Sequence, residues 1–184
     1  MNTGLNGRAG LHAGLLQDYS AEKGIAMSHI PHRWHGSHQW YFVTVVTIER
    51  KFVFNDFYLC RKLQEAFRFT RKNLTFRLAA LTILPDHWHG LICPSEGFTI
   101  GDVVGSIKQN FIKMKDDRGN KTSCWQTRFL DHRIRSEEDF NRHVEYIRIN
   151  AAKHEYVSKD VEYQWCFIHP DPFSGTYSPE KAGV

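Results

Sequence analysis

Residues 75–93 have the sequence TFRLAALTILPDHWHGLIC, and this stretch decides the fold. Both of its halves are rich in apolar residues, and Pro85-Asp86 separates them with turn chemistry. We therefore predict one strand over residues 75–84 and another over residues 87–93. Because the connection between them is so short, the two strands should form an antiparallel hairpin.

The second strand of this hairpin carries the sharpest chemical signal in the chain. Side chains alternate along a strand, so His87 and His89 should share one face while Trp88 points to the other. Two imidazoles on one face, two residues apart, can bind one divalent ion. The same spacing also fits two polar histidines on an exposed sheet face, and spacing alone leaves both interpretations open.

Further strands and helices are predicted on either side of the hairpin. A β-branched and aromatic run predicts a strand over residues 40–48, and residues 125–135 look extended. Apolar residues at helical spacing predict three helices, with N-caps at Asn55 or Asp56, at Thr99 and at Ser136. This order predicts an α+β fold, a ferredoxin-like split βαβ antiparallel sheet with helices on one face. The third helix is an extra C-terminal element added to that core.

The third predicted helix carries a second chemical signal. Its apolar stripe of Phe140, Val144 and Ile147 should be buried, and the pattern places Tyr146 and Asn150 on a different face, away from packing. A phenol is a poor nucleophile at its free pKa of about 10. Beside a metal-bound phosphate it can attack, and Asn150 could supply an oxygen ligand. Without the histidines, an ordinary half-exposed helical tyrosine is the favoured interpretation.

Positive charge is concentrated in one window of the chain. Between Arg50 and Arg77 there are eight basic residues and two acidic ones, a local charge of +6 against +4 for the whole chain. Such an excess suits a polyanion such as nucleic acid, although a solvated helix face gives the same pattern. The candidate phosphate contacts on the first two helices are Arg61, Arg68, Arg71, Lys108, Lys113 and Lys115.

Composition bounds the class of protein and its compartment. The 184 residues suffice for one domain, and 41% hydrophobic with 24% charged residues is typical of a globular protein. No apolar run is long enough for a membrane span, no secretory leader opens the chain, and the four scattered cysteines fit a reducing cytoplasm. We expect a flexible extension over residues 1–30, the functional domain over residues 31–160 and a tail over residues 161–184.

Three motifs together resemble the single-tyrosine HUH transposases, in particular the REP-associated tyrosine transposases of bacteria. Residues 84–91 (LPDHWHGL) resemble the family's HUH strand, residues 125–135 (WQTRFLDHRIR) its WQ…F.DH.IR stretch, and residues 146–150 (YIRIN) its YIxxN catalytic helix. The resemblance extends over residues 40–157, about two thirds of the chain. One departure is Ala151, where the family usually has proline.

The resemblance implies an activity and a set of site residues. Tyr146 would be the nucleophile, and His87, His89 and Asn150 would hold Mg²⁺ or Mn²⁺. The enzyme would cleave and rejoin single-stranded DNA at hairpin-forming, REP-like sequences through a 5′-phosphotyrosine intermediate. It would act in the bacterial cytoplasm at the nucleoid, without a membrane, and as a monomer rather than a dimer.

Other interpretations stay open at the level of the sequence. A non-catalytic module that binds single-stranded nucleic acid on a ferredoxin-like sheet would need neither the histidine pair nor Tyr146. A metal-dependent hydrolase would use His87 and His89 to activate water and would form no covalent adduct. Tyr156 is a competing nucleophile, although it lies ten residues beyond Tyr146 and matches no motif.

Overall fold

The computed structural model describes residues 39–115 and 122–173, so the extension predicted over residues 1–30 lies outside the described residues. Its helices and strands in chain order are β1 (Tyr41–Val46), α1 (Phe57–Asn73), β2 (Phe76–Leu84), β3 (His87–Pro94), α2 (Ile100–Met114), β4 (Leu130–Arg133), α3 (Glu137–Lys153) and β5 (Cys166–Ile168). Two short 3₁₀ helices, Ile48–Arg50 and Val53–Asn55, connect β1 to α1.

The strands form one antiparallel sheet in the order β4-β1-β3-β2-β5. The first four have the strand order of the ferredoxin-like split βαβ fold, so the predicted α+β class is confirmed. The hairpin predicted from residues 75–93 is β2 and β3, with Leu84 opposite His87 at its turn. The added edge strand β5 comes from the predicted tail and pairs with Ala80, Leu81 and Thr82 of β2.

Helices α1 and α2 cover one face of the sheet. The Asp56 carboxylate accepts a hydrogen bond from the Tyr58 backbone N–H, and Thr99 forms a capping box with Asp102, so both predicted N-caps are confirmed. A contiguous apolar core joins the helices to the sheet; its larger members are Val43, Leu63, Phe67, Trp88, Ile92, Val104, Ile107 and Phe111.

Helix α3 packs on the opposite face of the same sheet. The predicted stripe of Phe140, Val144 and Ile147 is buried there against Phe42 and Leu91 of the strands. The strand neighbours of those two residues, Val43 and Ile92, belong to the core under α1 and α2. Alternation along β1 and β3 therefore separates two cores, one on each side of the sheet.

Helix α3 ends in a left-handed cap just beyond the departure from the family pattern. It runs through Ala151 to Lys153, since alanine in place of proline keeps the backbone helical. The Tyr156 N–H then donates to the Ala151 oxygen at 2.9 Å and the Glu155 N–H to the Ala152 oxygen at 3.1 Å, which is a Schellman motif. Glu155 takes the left-handed conformation at φ 60°.

Two predictions from composition can be compared with the described residues. Helices α1 and α3, with 17 residues each, are shorter than the about 20 apolar residues that a membrane span needs, and no candidate span is found among the described residues. The four cysteines carry free thiols, and burial raises the pKa of Cys60 to about 12.

Candidate active site

Strand β3 directs both histidines of the HxH motif toward α3. Trp88 points the other way, where its ring lies 5.1 Å from that of Phe67 between centroids. His87 and His89 are both buried, and their ring centroids are 4.8 Å apart. The shared face was therefore predicted correctly, whereas an exposed pair of histidines does not describe this sheet.

Asp86 fixes the orientation of His87. Its Oδ1 lies 2.5 Å from His87 Nδ1, and its Oδ2 accepts a hydrogen bond from the Arg50 guanidinium at 2.6 Å. Burial alone would raise the pKa of the Asp86 carboxyl, but hydrogen bonds and charge from His87 and Arg50 outweigh burial and lower it. The carboxylate therefore accepts from Nδ1–H, which leaves Nε2 as the His87 nitrogen with a lone pair for a metal.

Thr44 plays the corresponding part for His89. The two residues are direct cross-strand partners of β1 and β3, and Thr44 Oγ1 lies 2.8 Å from His89 Nδ1. Because Nδ1 is hydrogen-bonded to the hydroxyl, Nε2 is the His89 nitrogen that can bind a metal. Each imidazole is thus oriented by a hydrogen bond at Nδ1, the nitrogen that would not bind the metal. This arrangement usually supports histidine ligands in metal sites.

Helix α3 brings Tyr146 and Asn150 against the histidines. Tyr146 is only 3% exposed, and its ring centroid lies 5.3 Å from that of His89 and 5.6 Å from that of Phe42. The prediction that this face of the helix lies away from packing is wrong, because Phe42 projects from β1 and covers it. The helix consequently buries two adjacent stripes, one apolar and one bearing the candidate chemistry.

The surroundings of the Tyr146 phenol keep it protonated at neutral pH. Burial raises its pKa, and the nearby Asn150 amide opposes part of that rise. The ammonium group of Lys153 lies 5.4 Å from the centroid of the tyrosine ring. This ammonium group lies over the face of the ring and makes a cation–π contact with it.

The Asn150 amide provides the test of whether this site suits a cation. The residue is fully buried, and neither its oxygen nor its nitrogen has a hydrogen-bond partner among the described residues. Leaving such a group unsatisfied costs about 1–3 kcal/mol per atom, so its burial here needs an explanation. Two imidazoles and one amide oxygen are a donor set that a divalent metal accepts, and the residues fit such an ion.

The competing tyrosine lies at the exposed edge of the site, next to His154, whose ring is 6.3 Å from that of His87, whereas the basic residues lie elsewhere. Tyr156 is 41% exposed and follows the end of α3, beside His154. The six candidate phosphate contacts lie on α1 and on α2 with its C-cap, which cover the face of the sheet opposite to Tyr146. Lys108 donates to the backbone oxygens of Gln126 and Thr127 at 2.7 and 3.2 Å, so its ammonium group is already bonded within the protein.

The residues that orient the histidines were missed in the sequence. Asp86 was interpreted only as a turn residue, although a carboxylate directly before a candidate ligand could have suggested its second role. Thr44 gave no signal, because its contact depends on the register between β1 and β3. Arg50 reaches Asp86 from a backbone conformation at φ 54°, which is uncommon for residues other than glycine and equally invisible in the sequence.

The buried histidines predict acid-sensitive stability. Burial lowers the pKa of His87, His143 and His169 below the usual 6.5. Between the folded and unfolded pKa values the unfolded chain binds more protons, so the free energy of unfolding should fall as pH drops below about 6.5. The lowered carboxyl pKa values of Asp86 and Asp139 reduce stability only from about pH 5 downward, below this window.

Urea unfolding at several pH values between 7.5 and 5, with a chelator present, measures this loss. His169 is one of these three histidines and lies away from the candidate site. His169→Gln should therefore reduce the slope of the free energy of unfolding against pH. A free energy of unfolding that stays constant or rises on acidification over this range would contradict the prediction.

Comparison with known proteins identifies a family and several relatives. Residues 36–150 match the family model described as "Transposase IS200 like". The chain is 28% identical over 144 residues to the REP-associated tyrosine transposase of Escherichia coli K12, covering 78% of this chain and 84% of that protein. A putative REP-associated tyrosine transposase of Haemophilus influenzae Rd is 26% identical over 154 residues, covering 78% and 87%.

The fold has a counterpart among solved structures. A REP-associated tyrosine transposase bound to a REP hairpin is 26% identical, with a TM-score of 0.61 over 84% of this chain and 90% of that one. The matched family region spans most of the described residues and includes the histidine pair of β3 and the tyrosine of α3. The chain therefore belongs to the IS200-like transposase family, and it is a transposase similar to the REP-associated tyrosine transposases.

Proposed function

We propose that this transposase cleaves and rejoins single-stranded DNA with Tyr146 as the nucleophile. The observation that carries the proposal is the juxtaposition of His87, His89, Tyr146 and Asn150, which come from two distant segments and meet on one face of the sheet. The 5.3 Å between the ring centroids of His89 and Tyr146 puts a phenol next to a pair of oriented imidazoles. A module that only binds nucleic acid has no need of this arrangement.

Histidines 87 and 89 and the amide of Asn150 would hold a divalent cation, Mg²⁺ or Mn²⁺. When bound, such an ion supplies Lewis-acid polarisation of the scissile phosphate. Imidazole ligands suit Mn²⁺ better than the harder Mg²⁺, which favours Mn²⁺ as the more effective ion in an assay. The protein's own part is to orient both imidazoles through Asp86 and Thr44.

The covalent step exchanges one phosphate ester for another. The Oη of Tyr146 attacks phosphorus, the bond from phosphorus to the 3′ oxygen of the upstream nucleotide breaks, and the phenolic proton ends on that oxygen. The products are a 5′-phosphotyrosine on the downstream strand and a free 3′-hydroxyl. Attack by this hydroxyl, or by that of another strand, reverses the step, so rejoining needs no energy cofactor.

The DNA partner is proposed from the relatives and from charge. A solved relative of this fold is bound to a REP hairpin. We propose that this chain also takes single-stranded, hairpin-forming DNA, that it acts as a monomer and that it meets this DNA at the chromosome in the bacterial cytoplasm. The phosphate contacts proposed on α1 and α2 are Arg61, Arg68, Arg71, Lys108, Lys113 and Lys115, of which Lys108 would first have to exchange its contacts with backbone oxygens.

Removing two exposed charges tests this surface. The double variant Arg68→Ala with Lys113→Ala should bind single-stranded DNA several-fold more weakly. Its slope of log affinity against log salt should be shallower by about 0.7 for each lost phosphate contact. Because both residues lie on the face opposite Tyr146, the cleavage rate at saturating DNA should stay unchanged.

Fluorescence anisotropy at several salt concentrations gives the slope. The charge-conserving double variant Arg68→Lys with Lys113→Arg should keep it. An alanine variant with unaltered affinity and slope would show that these charges only solvate the helices.

A covalent-trapping assay tests the function itself. Purified protein is incubated with Mn²⁺ and a pool of 3′-labelled single strands, each with a hairpin stem and randomised flanking bases, and the products are run on a denaturing gel. We expect label that migrates with the protein and disappears when the metal is chelated. Metal-dependent cleavage without any adduct would favour the hydrolase, and DNA binding without cleavage would favour the binding module.

A further inference from the structure

A second group of metal-ligand side chains lies beside the candidate active site. It joins β4 to α3 through His132, Asp139 and His143. Each of the three side chains offers one ligand atom, and these atoms lie within 4.8 Å of one another. Among the described residues, this is the group of three histidine, cysteine or acidic side chains that meets this distance. We infer that this group, called the His-Asp-His cluster below, is a binding site for a divalent transition-metal ion such as Zn²⁺.

The contacts within the cluster are already close to those of a ligand set. His132 Nε2 lies 2.9 Å from Asp139 Oδ2, and His143 Nδ1 lies 3.3 Å from Asp139 Oδ1. A tetrahedral zinc ion with bonds of about 2.0–2.2 Å holds its ligand atoms roughly 3.3–3.5 Å apart. Small side-chain rotations therefore suffice to place three donors around one ion, with a fourth position left for water.

The donor chemistry favours zinc or a similar ion over Mg²⁺. Two imidazoles and one carboxylate are ligands typical of zinc and of other first-row transition metals. His143 Nδ1 also lies 2.8 Å from the Asp139 backbone oxygen, so as a ligand it would lose its proton and this contact, and Nε2 would carry the proton of the neutral ring. Its pKa is lowered by burial, which favours the neutral ring that a metal requires.

Access and charge around the cluster are compatible with an ion that exchanges with solvent. The His132 side chain is 42% exposed, which opens one side of the cluster. The guanidinium of Arg142 lies 3.8 Å from Asp139 Oδ1, and its positive charge opposes a cation there. The imidazole rings themselves stack with centroids 5.0 Å apart.

The His-Asp-His cluster shares no residue with the proposed catalytic site, but the Phe42 ring contacts both. The Phe42 ring lies 4.6 Å from that of His143 on one side and 5.2 Å from that of His89 on the other, between centroids. Phe42 also packs against Tyr146. An ion in the cluster would hold β4 against the first turns of α3 and so restrain the helix that carries the tyrosine.

Zinc binding to the full-length protein tests the inference without any measure of catalysis. The background is the double variant His87→Ala with His89→Ala, which removes the proposed catalytic pair. Equilibrium dialysis with Zn²⁺ compares this protein with the same protein carrying in addition His132→Gln, and with another carrying Asp139→Asn. All remaining histidines, including His29, His32, His35 and His38, are common to these proteins, so they cancel in the difference.

We expect each added substitution to remove one equivalent of bound zinc. Asp139→Asn keeps an oxygen that can accept from the Arg135 N–H, so this variant still decides the question if His132→Gln disturbs the edge strand. His169→Gln in the same background is the matched control and should leave the stoichiometry unchanged. Equal zinc content in the background and in both cluster variants, with circular dichroism showing intact folds, would overturn the inference and leave the cluster as a hydrogen-bonded contact between β4 and α3.

Discussion

Replacing Tyr146 with phenylalanine should abolish the covalent protein–DNA adduct and leave the fold and DNA binding intact. The substitution removes one oxygen atom from a side chain that is 3% exposed, and the ring contacts to His89 and Phe42 remain. Because no other group on that ring can form the phosphate ester, the rate of adduct formation should fall by at least about 1,000-fold. Covalent trapping on denaturing gels gives the rate, and anisotropy gives the DNA affinity.

Tyr156→Phe provides the matched control for this loss. It makes the same chemical change on the same segment, at a side chain that is 41% exposed beyond the end of α3. Adduct formation should continue at the normal rate in this variant. Normal adduct from Tyr146→Phe, or loss of the adduct only in Tyr156→Phe, would show that Tyr146 is not the nucleophile.

The sequence was sufficient for the hairpin of β2 and β3 because its signals there are local. Alternation along residues 87–93 places Trp88 opposite the two histidines whatever surrounds the strand, and the structure buries Trp88 on the α1 side. The N-caps Thr99 and Ser136 were likewise predicted, and Asp56 is one of the two candidates for the first helix, since a cap bonds to a backbone N–H two or three residues away. Interactions of this short range can be inferred from spacing alone.

The features that could not be predicted depend on contacts between strands and helices that are distant in the sequence. The three residues of β5 have no periodicity of their own and are ordered as a strand because the edge of β2 accepts them. The burial of Tyr146 follows from the projection of Phe42 across the sheet, and the contact of Thr44 with His89 follows from strand register. The sequence also did not indicate that the basic helices and the candidate nucleophile lie on opposite faces.

Replacing Asp86 with asparagine should raise the metal concentration needed for half-maximal cleavage by about 10–100-fold. The Asp86 carboxylate lies between His87 Nδ1 at 2.5 Å and the Arg50 guanidinium at 2.6 Å. Asparagine has nearly the same shape but no charge, so it makes the imidazole a weaker ligand. If its NH₂ group turns toward Nδ1, the ring must carry its proton on Nε2, where it cannot bind metal at all.

A Mn²⁺ titration of the cleavage rate separates this effect from loss of the fold. In Asp86→Asn the maximal rate should return at high Mn²⁺, because Tyr146 and the DNA surface are unaltered. Asp102→Asn is the control and should leave the titration unchanged. Among the described residues that carboxylate bonds only to Thr99, at the start of α2 on the opposite face of the sheet. An Asp86→Asn enzyme with the normal half-saturating Mn²⁺ concentration would refute a role for this carboxylate in orienting His87. In that case the contact between Asp86 and Arg50 would only join the turn between β2 and β3 to the 3₁₀ helix that follows β1.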